Sequence, residues 1–148
     1  MIQNAKYVHT NLIARDWVRL SEFYRTVFGC TVVPPERNYS GPALEAGTGV
    51  SDTTLRGVHL RLPGSDATLE IYTYSVEESG PSPAVNRPGF GHIAFEVDSV
   101  PDAREEVLAS GGKIVGDIVT LTTSLGSRVT WCYVTDPEGN IIEVQSWK

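Results

Sequence analysis

Long apolar runs, clustered basic residues and closely spaced cysteines are all missing from this chain of 148 residues. No stretch approaches the roughly 18 consecutive apolar residues that a spanning helix needs, so a helical membrane protein is excluded. The polar opening Met1-Ile2-Gln3-Asn4 does not read as a secretory leader. Twelve Lys and Arg stand against 18 Asp and Glu, a net charge of −6 with no basic run, which gives a nucleic acid no electrostatic footprint. Only two cysteines are present, Cys30 and Cys132, in neither a C-x-x-C nor a secreted-type spacing, and they read as reduced structural thiols. The expectation is a cytoplasmic protein with no nucleic-acid or membrane partner. A chain of this length folds as one domain or two intertwined modules, and buries about 68–70% of its unfolded surface without help from disulfides or a structural metal.

What is there is an internal repeat, and a duplicated unit decides architecture before any single element does. Tyr7-Val8-His9-Thr10-Asn11-Leu12-Ile13 alternates like a strand, and Asp16 then caps a helical pattern that places Trp17, Leu20, Tyr24, Val27 and Phe28 on one face, stopped by Gly29. Gly91-His92-Ile93-Ala94-Phe95-Glu96-Val97 replays the strand. Pro101 opens a second helix with Val107 and Leu108 facing inward, and Gly111-Gly112 ends it. Three strand candidates follow each helix: about 30–33, 56–62 and 68–74 in the first half, and 113–118, 128–135 and 140–147 in the second. The fold class is α+β, two βαβββ modules of about 5–74 and 90–147 forming a cupped mixed sheet in a single domain, 1–148. Residues 38–54, rich in Gly and Ser, read as a long mobile loop, and the proline-punctuated 75–89 reads as the linker between modules. One helix cannot cover both faces of a four-stranded sheet, so each module keeps an open face on which a site can be built.

Pleating sends alternate residues to opposite faces. Leu69 and Ile71 suit the helix-covered face and leave Glu70 on the open one; Ile142 and Val144 do the same for Glu143, which then shares a face with Ile141 and Gln145. By the same parity His9 leaves the first strand opposite Val8 and Thr10, and His92 lies opposite Ile93 and Phe95. A lone strand histidine is more often a hydrogen-bonded packing residue, and a lone open-face glutamate is usually just solvated. Here, however, a first-strand His and a last-strand Glu occur together in both halves. The quartet His9, Glu70, His92 and Glu143 suits a divalent ion of the first transition row, Ni, Co, Zn, Mn or Fe, with positions left for water or substrate. Calcium prefers all-oxygen shells, and structural zinc more often takes thiolate. His59 has no counterpart in the second half, where Thr130 or Trp131 stands, and reads as a rim or substrate contact. Arg61 and Arg128 are candidates to hold an anionic group of a small-molecule substrate, and Tyr72, Tyr74, Trp131 and Trp147 are candidate walls for an apolar or aromatic one.

The phrases Val8-His9-Thr10-Asn11-Leu12, Phe23-Tyr24-Arg25-Thr26-Val27-Phe28-Gly29, Gly91-His92-Ile93-Ala94-Phe95-Glu96-Val97-Asp98 and Asp136-Pro137-Glu138-Gly139-Asn140-Ile141-Ile142-Glu143 resemble the vicinal oxygen chelate superfamily. That group contains glyoxalase I, methylmalonyl-CoA epimerase, extradiol dioxygenases and the fosfomycin and bleomycin resistance proteins. The resemblance implies a homodimer and a metal held in a cup formed by two modules, within one chain or across two. The ion would be chelated by adjacent oxygens of the substrate. The His, Glu, His, Glu order is closest to that of glyoxalase I. Epimerase-like members carry Gln where Glu70 stands, and bleomycin-binding members tend to lack the ligands. Ile13 and Tyr74 stand where bacterial glyoxalase I chains have the Arg and Asn of their glutathione-binding set, which counts against glutathione as a cosubstrate. The leading reading is a metal-dependent lyase or isomerase of the glyoxalase I type, moving a proton next to a carbonyl with Glu143 as base, or Glu70 in its place. The alternatives are an Fe(II) dioxygenase of the same superfamily and a non-catalytic binder of small molecules or drugs.

Overall fold

Asp16 and Gly29 bracket the first helix in the way their chemistry requires. Asp16 sits at φ −131, extended, and accepts a hydrogen bond from the Arg19 amide at 3.0 Å, while Gly29 adopts φ +69, a left-handed conformation that costs a glycine nothing. The computed structural model describes all residues, Met1–Lys148, and they cluster into two units, Met1–Ser79 and Gly80–Lys148. No helix is long and apolar enough to cross a membrane. Asp16→Ala is expected to destabilise the chain by about 1 kcal/mol. For a protein of this size that lowers the melting temperature by about 2–4 °C, measured by differential scanning calorimetry.

The first unit runs β1 (His9–Ile13), α1 (Trp17–Phe28), β2 (Thr31–Ser40), α2 (Pro42–Thr48), β3 (Thr54–Arg61) and β4 (Thr68–Tyr74). Its sheet has the order β1-β4-β3-β2, with β1 parallel to β4 and the other neighbours antiparallel. α1 packs on β3 and β4. Leu20, Phe23 and Tyr24 of the helix are buried together with Val58, Leu60, Leu69 and Ile71 of the sheet. Phe23, outside the expected stripe, meets the Tyr24 ring edge-on at 5.2 Å.

The second unit runs β5 (Ile93–Glu96), α3 (Val100–Ala109), β6 (Lys113–Ile114), β7 (Val119–Thr122), β8 (Arg128–Thr135) and β9 (Ile141–Trp147), in sheet order β5-β9-β8-β6 with β7 also paired to β8. β5 is parallel to β9, as β1 is to β4. Ser99 caps α3, and Val100 and Val107 bury against a floor that includes Cys132, Val134, Ile142 and Val144. Each unit is an α+β element with a mixed sheet, as the repeat requires.

Four expectations need correction. Residues 38–54 are not a loop: β2 continues to Ser40, and α2 occupies Pro42–Thr48 between two glycines, with Pro42 opening it and Gly49 closing it at φ +74. The second half has four strands after its helix, not three: the strand expected over 113–118 is confined to β6, and β7 is an additional strand beyond that range. β2 is irregular at the matching place, where its register on β3 shifts between Val33 and Arg37 across two prolines that have no N–H to donate. Leu108 is 36% exposed rather than inward, and Ile141 is 5% exposed although it shares the parity of Glu143.

Candidate functional site

Glu70 lies mid-way along β4, flanked by β1 on one side and β3 on the other, where the register sets Asn11 and His59 directly opposite it. Its two oxygens face different ways. Oε2 lies 3.4 Å from His9 Nε2 and takes a hydrogen bond from Asn11 Nδ2 at 3.4 Å, whereas Oε1 lies 3.0 Å from His59 Nε2. His9 stands two residues before Asn11 on β1, so it reaches Glu70 diagonally from the neighbouring strand. Tyr72, one pleat further along β4, hydrogen-bonds His59 Nε2 through its hydroxyl. Burial raises the Tyr72 phenol, with help from the Glu70 charge, to a pKa of about 12. Burial also lowers His59 below its ordinary value, and the charge of Glu70 opposes that shift.

The second unit repeats half of this. His92 immediately precedes β5, and its Nε2 lies 3.0 Å from Glu143 Oε2. Glu143 faces Ala94 on one side and Tyr133 on the other. Tyr133, whose phenol is raised by burial and then by Glu143, packs its ring 5.0 Å from that of His92 and, edge-on, 5.0 Å from that of Trp131. Only Oε2 of Glu143 meets a histidine, whereas each oxygen of Glu70 does, Oε2 facing His9 and Oε1 facing His59. The register therefore corrects the reading of His59: its counterpart is Tyr133, not Thr130 or Trp131, and its place is beside Glu70 rather than on the rim. Counting back from each glutamate across its hairpin turn would have paired the two, because 59 to 70 and 133 to 143 are nearly equal spans.

The remaining expected contacts scatter. Arg61 shares the face of His59, but its guanidinium donates to the Asp66 carbonyl at the hairpin end. Trp131 shares the face of Tyr133 and Glu143. Arg128 falls on the opposite parity, that of the buried Cys132 and Val134. Tyr74 lines a cavity of about 460 Å³ together with Ile13 and Val50, at whose edge Arg15 is paired to Glu77 at 3.1 Å. Ile13 and Tyr74 have the parities of His9 and Glu70, while Ala14 and Thr73, which also line the cavity, have the opposite ones, so the cavity opens at the ends of β1 and β4. Trp147 is 45% exposed. Cys30 and Cys132 are buried, and burial raises both thiols, Cys30 to about 11, so neither supplies a thiolate at neutral pH.

Whether these donors fit a metal can be judged from spacing. Two ligand atoms about 2.1 Å from an ion stand roughly 3.0 Å apart in a cis octahedral arrangement and roughly 3.4 Å apart in a tetrahedral one. The His92–Glu143 and His9–Glu70 separations, 3.0 and 3.4 Å, fall within this range, so each pair is close enough to contribute two donors to an ion. Within either unit no group of three or more such side chains is arranged to hold an ion. In the first unit the reason is visible: His9 and His59 approach Glu70 from opposite flanking strands rather than converging on one point.

A paired mixed sheet and helix, built twice, with His and Glu on the open parity of both, defines a class. The chain belongs to the Glyoxalase/Bleomycin resistance protein/Dioxygenase superfamily, whose family model matches residues 6–144. Among solved structures it is similar to a glyoxalase family protein from Bacillus cereus, at 16% identity with 99% of each chain covered and a TM-score of 0.81. It is also similar to an integron cassette protein from the mobile metagenome of V. Pseudocholerae, at 24% identity with 99% and 97% covered and a TM-score of 0.58. A third is a glyoxalase/bleomycin resistance protein/dioxygenase family enzyme from Burkholderia phytofirmans, at 18% identity with 96% and 98% covered and a TM-score of 0.59. None of the curated proteins matches the chain.

Proposed function

We propose that this protein is a metal-dependent lyase or isomerase that moves a proton at a carbon next to a carbonyl, on a small substrate bound through two neighbouring oxygens. The observation that carries the reading is the pair of His–Glu contacts at equivalent register positions, each at ligand spacing. In this reading His9, Glu70, His92 and Glu143 serve one divalent ion, within one chain or between two copies in a homodimer. The ion, when bound, supplies Lewis acidity to the substrate's oxygens. The chain's own residues do the rest. Glu70, held on both oxygens, acts as a fixed ligand, and Glu143, met by a histidine on Oε2 alone, takes the proton as the C–H bond breaks and returns it to the neighbouring carbon. In the first unit Tyr72 stands over His59 beside Glu70, and in the second Tyr133 and Trp131 stand beside His92 and Glu143, so each glutamate has an aromatic neighbour that lowers the local polarity and strengthens charge interactions there.

The cavity lined by Ile13, Val50 and Tyr74 supports an apolar substituent on the substrate. Its one cation, Arg15, stands beside Glu77 at 3.1 Å with Glu78 also in the lining, a net negative surround that does not favour the carboxylates of a peptide thiol. Glutathione dependence is accordingly not part of the proposal.

Metal stoichiometry tests the shared shell. Untagged protein loaded with Co(II) is expected to bind one ion per chain, and His9→Ala and His92→Ala are each expected to abolish binding; two ions per chain, each lost to one variant only, would refute it. For the reaction, exchange of the carbon-bound hydrogens of hydroxyacetone in D2O, followed by proton NMR, should depend on the loaded ion. Hemithioacetals of methylglyoxal made with 2-mercaptoethanol and with glutathione should show no preference for the latter. Oxygen uptake with catechol by the iron-loaded protein would instead identify a dioxygenase.

A further inference from the structure

His59 is the one histidine that the two His–Glu pairs leave unused, and it is more buried than either of the others. Its side chain is 21% exposed, against 43% for His9 and 34% for His92. Three features fix it. The register of β3 on β4 sets it opposite Glu70, its Nε2 meets Glu70 Oε1 at 3.0 Å, and the Tyr72 hydroxyl bonds the same nitrogen. Tyr72 reaches it because the facing residue on β3 is Gly57: a Cβ there would collide with the Tyr72 ring and with the Ile71 carbonyl oxygen. Gly57 is thus a seat for the tyrosine ring, and the tyrosine a brace for the imidazole. In the second unit the same place beside the glutamate holds Tyr133, and the residue before it in the pleat is Trp131, so no such brace exists there.

We infer that His59, braced by Tyr72 over Gly57, is a positioning residue that engages Glu70 Oε1 and leaves only Oε2 available as a ligand. This rests on the metal-dependent reading above and deepens it, because it supplies a physical reason for two chemically identical carboxylates to take different roles. A glutamate pinned through one oxygen presents the other in a single orientation, which suits a ligand and not a proton carrier. Partners that orient ligands in this way are typically worth about 10–100-fold in metal affinity.

The test uses Co(II) alone on the full chain. His59→Phe keeps a ring of similar bulk and removes the nitrogen; its Co(II) dissociation constant, measured by calorimetry, is expected to rise by about 10–100-fold. His59→Gln restores an N–H toward Glu70 and should recover most of the affinity. Tyr72→Phe, which loses only the hydroxyl, should weaken binding in the same direction, and it carries the test if His59→Phe does not fold. A purely packing role would not be rescued by glutamine. Proton NMR of the Co(II) form is expected to show two strongly shifted imidazole N–H resonances, from His9 and His92, in both wild type and His59→Phe. Unchanged affinity in His59→Phe and Tyr72→Phe would overturn the inference alone. So would a third shifted resonance lost in His59→Phe, since His59 would then be a ligand. A wild-type chain that binds no Co(II) would instead overturn the metal-dependent reading itself, and the inference with it.

Discussion

Glu143→Gln is expected to slow metal-dependent hydrogen exchange of hydroxyacetone by about 10²–10⁴-fold, the usual worth of a positioned general base, while leaving the fold intact and Co(II) bound. The amide keeps an oxygen that can face His92 Nε2 as Oε2 does now, at 3.0 Å, so the contact that defines the pair survives. It has no basic site, however, and the proton leaving carbon has nowhere to go. Packing is not at risk, because Gln and Glu are nearly isosteric and the neighbouring Ile142 and Val144 point to the opposite, buried face. The matching change at Glu70 should behave differently. Both of its oxygens are engaged, one by His59 and one by His9 and Asn11, so an amide must present an N–H to one of these partners and the ligand geometry is lost. Glu70→Gln is therefore expected to show its effect first as weaker Co(II) binding, measured by calorimetry. Undiminished exchange in Glu143→Gln would remove the base assignment, and a larger rate loss from Glu70→Gln at saturating Co(II) would reverse the two roles.

The parity of the strands made much of this legible before any coordinates. Leu69 and Ile71 against Glu70, and Ile142 and Val144 against Glu143, are two-residue alternations that only one pleat orientation satisfies once a helix covers one face. Helix ends were equally plain, because Asp16 and Gly29 act through their own local hydrogen bonds and backbone freedom. What stayed hidden depends on long-range register or on the absence of burial. α2 buries no residue, so it leaves no apolar period to read, and its flanking glycines imitate a loop. β6 and β7 are an interrupted edge strand whose two parts make sense only against β8. The pairing of His59 with Glu70, and of Tyr133 with Glu143, is a property of hairpin register, which the turn fixes and strand composition does not. Arg128 is a candidate by charge alone, although the alternation of its own strand already gives it the parity of Cys132 and Val134, opposite to Tyr133.

That dependence on register makes the β8–β9 turn the place where stability and site geometry meet, and Asp136 is its keystone. The side chain is 1% exposed. Oδ1 accepts from the Glu138 amide at 2.9 Å and the Asn140 amide at 3.0 Å, and Oδ2 accepts from Asn140 Nδ2 at 2.8 Å. Asp136→Ala strands these donors in a half-buried turn. Each hydrogen bond to a charged group is worth about 1.5–3 kcal/mol, but donors sharing one carboxylate are lost together and relax together. The expected cost is therefore about 3 kcal/mol rather than the full sum, or about 6–12 °C in melting temperature for a chain of this length. Asp136→Asn keeps an acceptor for the two backbone amides and should lose roughly half as much. The functional consequence follows from position, since Asp136, in the turn between β8 and β9, comes three residues after Tyr133 and seven before Glu143. Loosening the turn should weaken Co(II) binding in Asp136→Ala more than its distance from the donors would suggest. A calorimetric melting temperature within 2 °C of wild type would show that the turn is held by Pro137 and Gly139 alone.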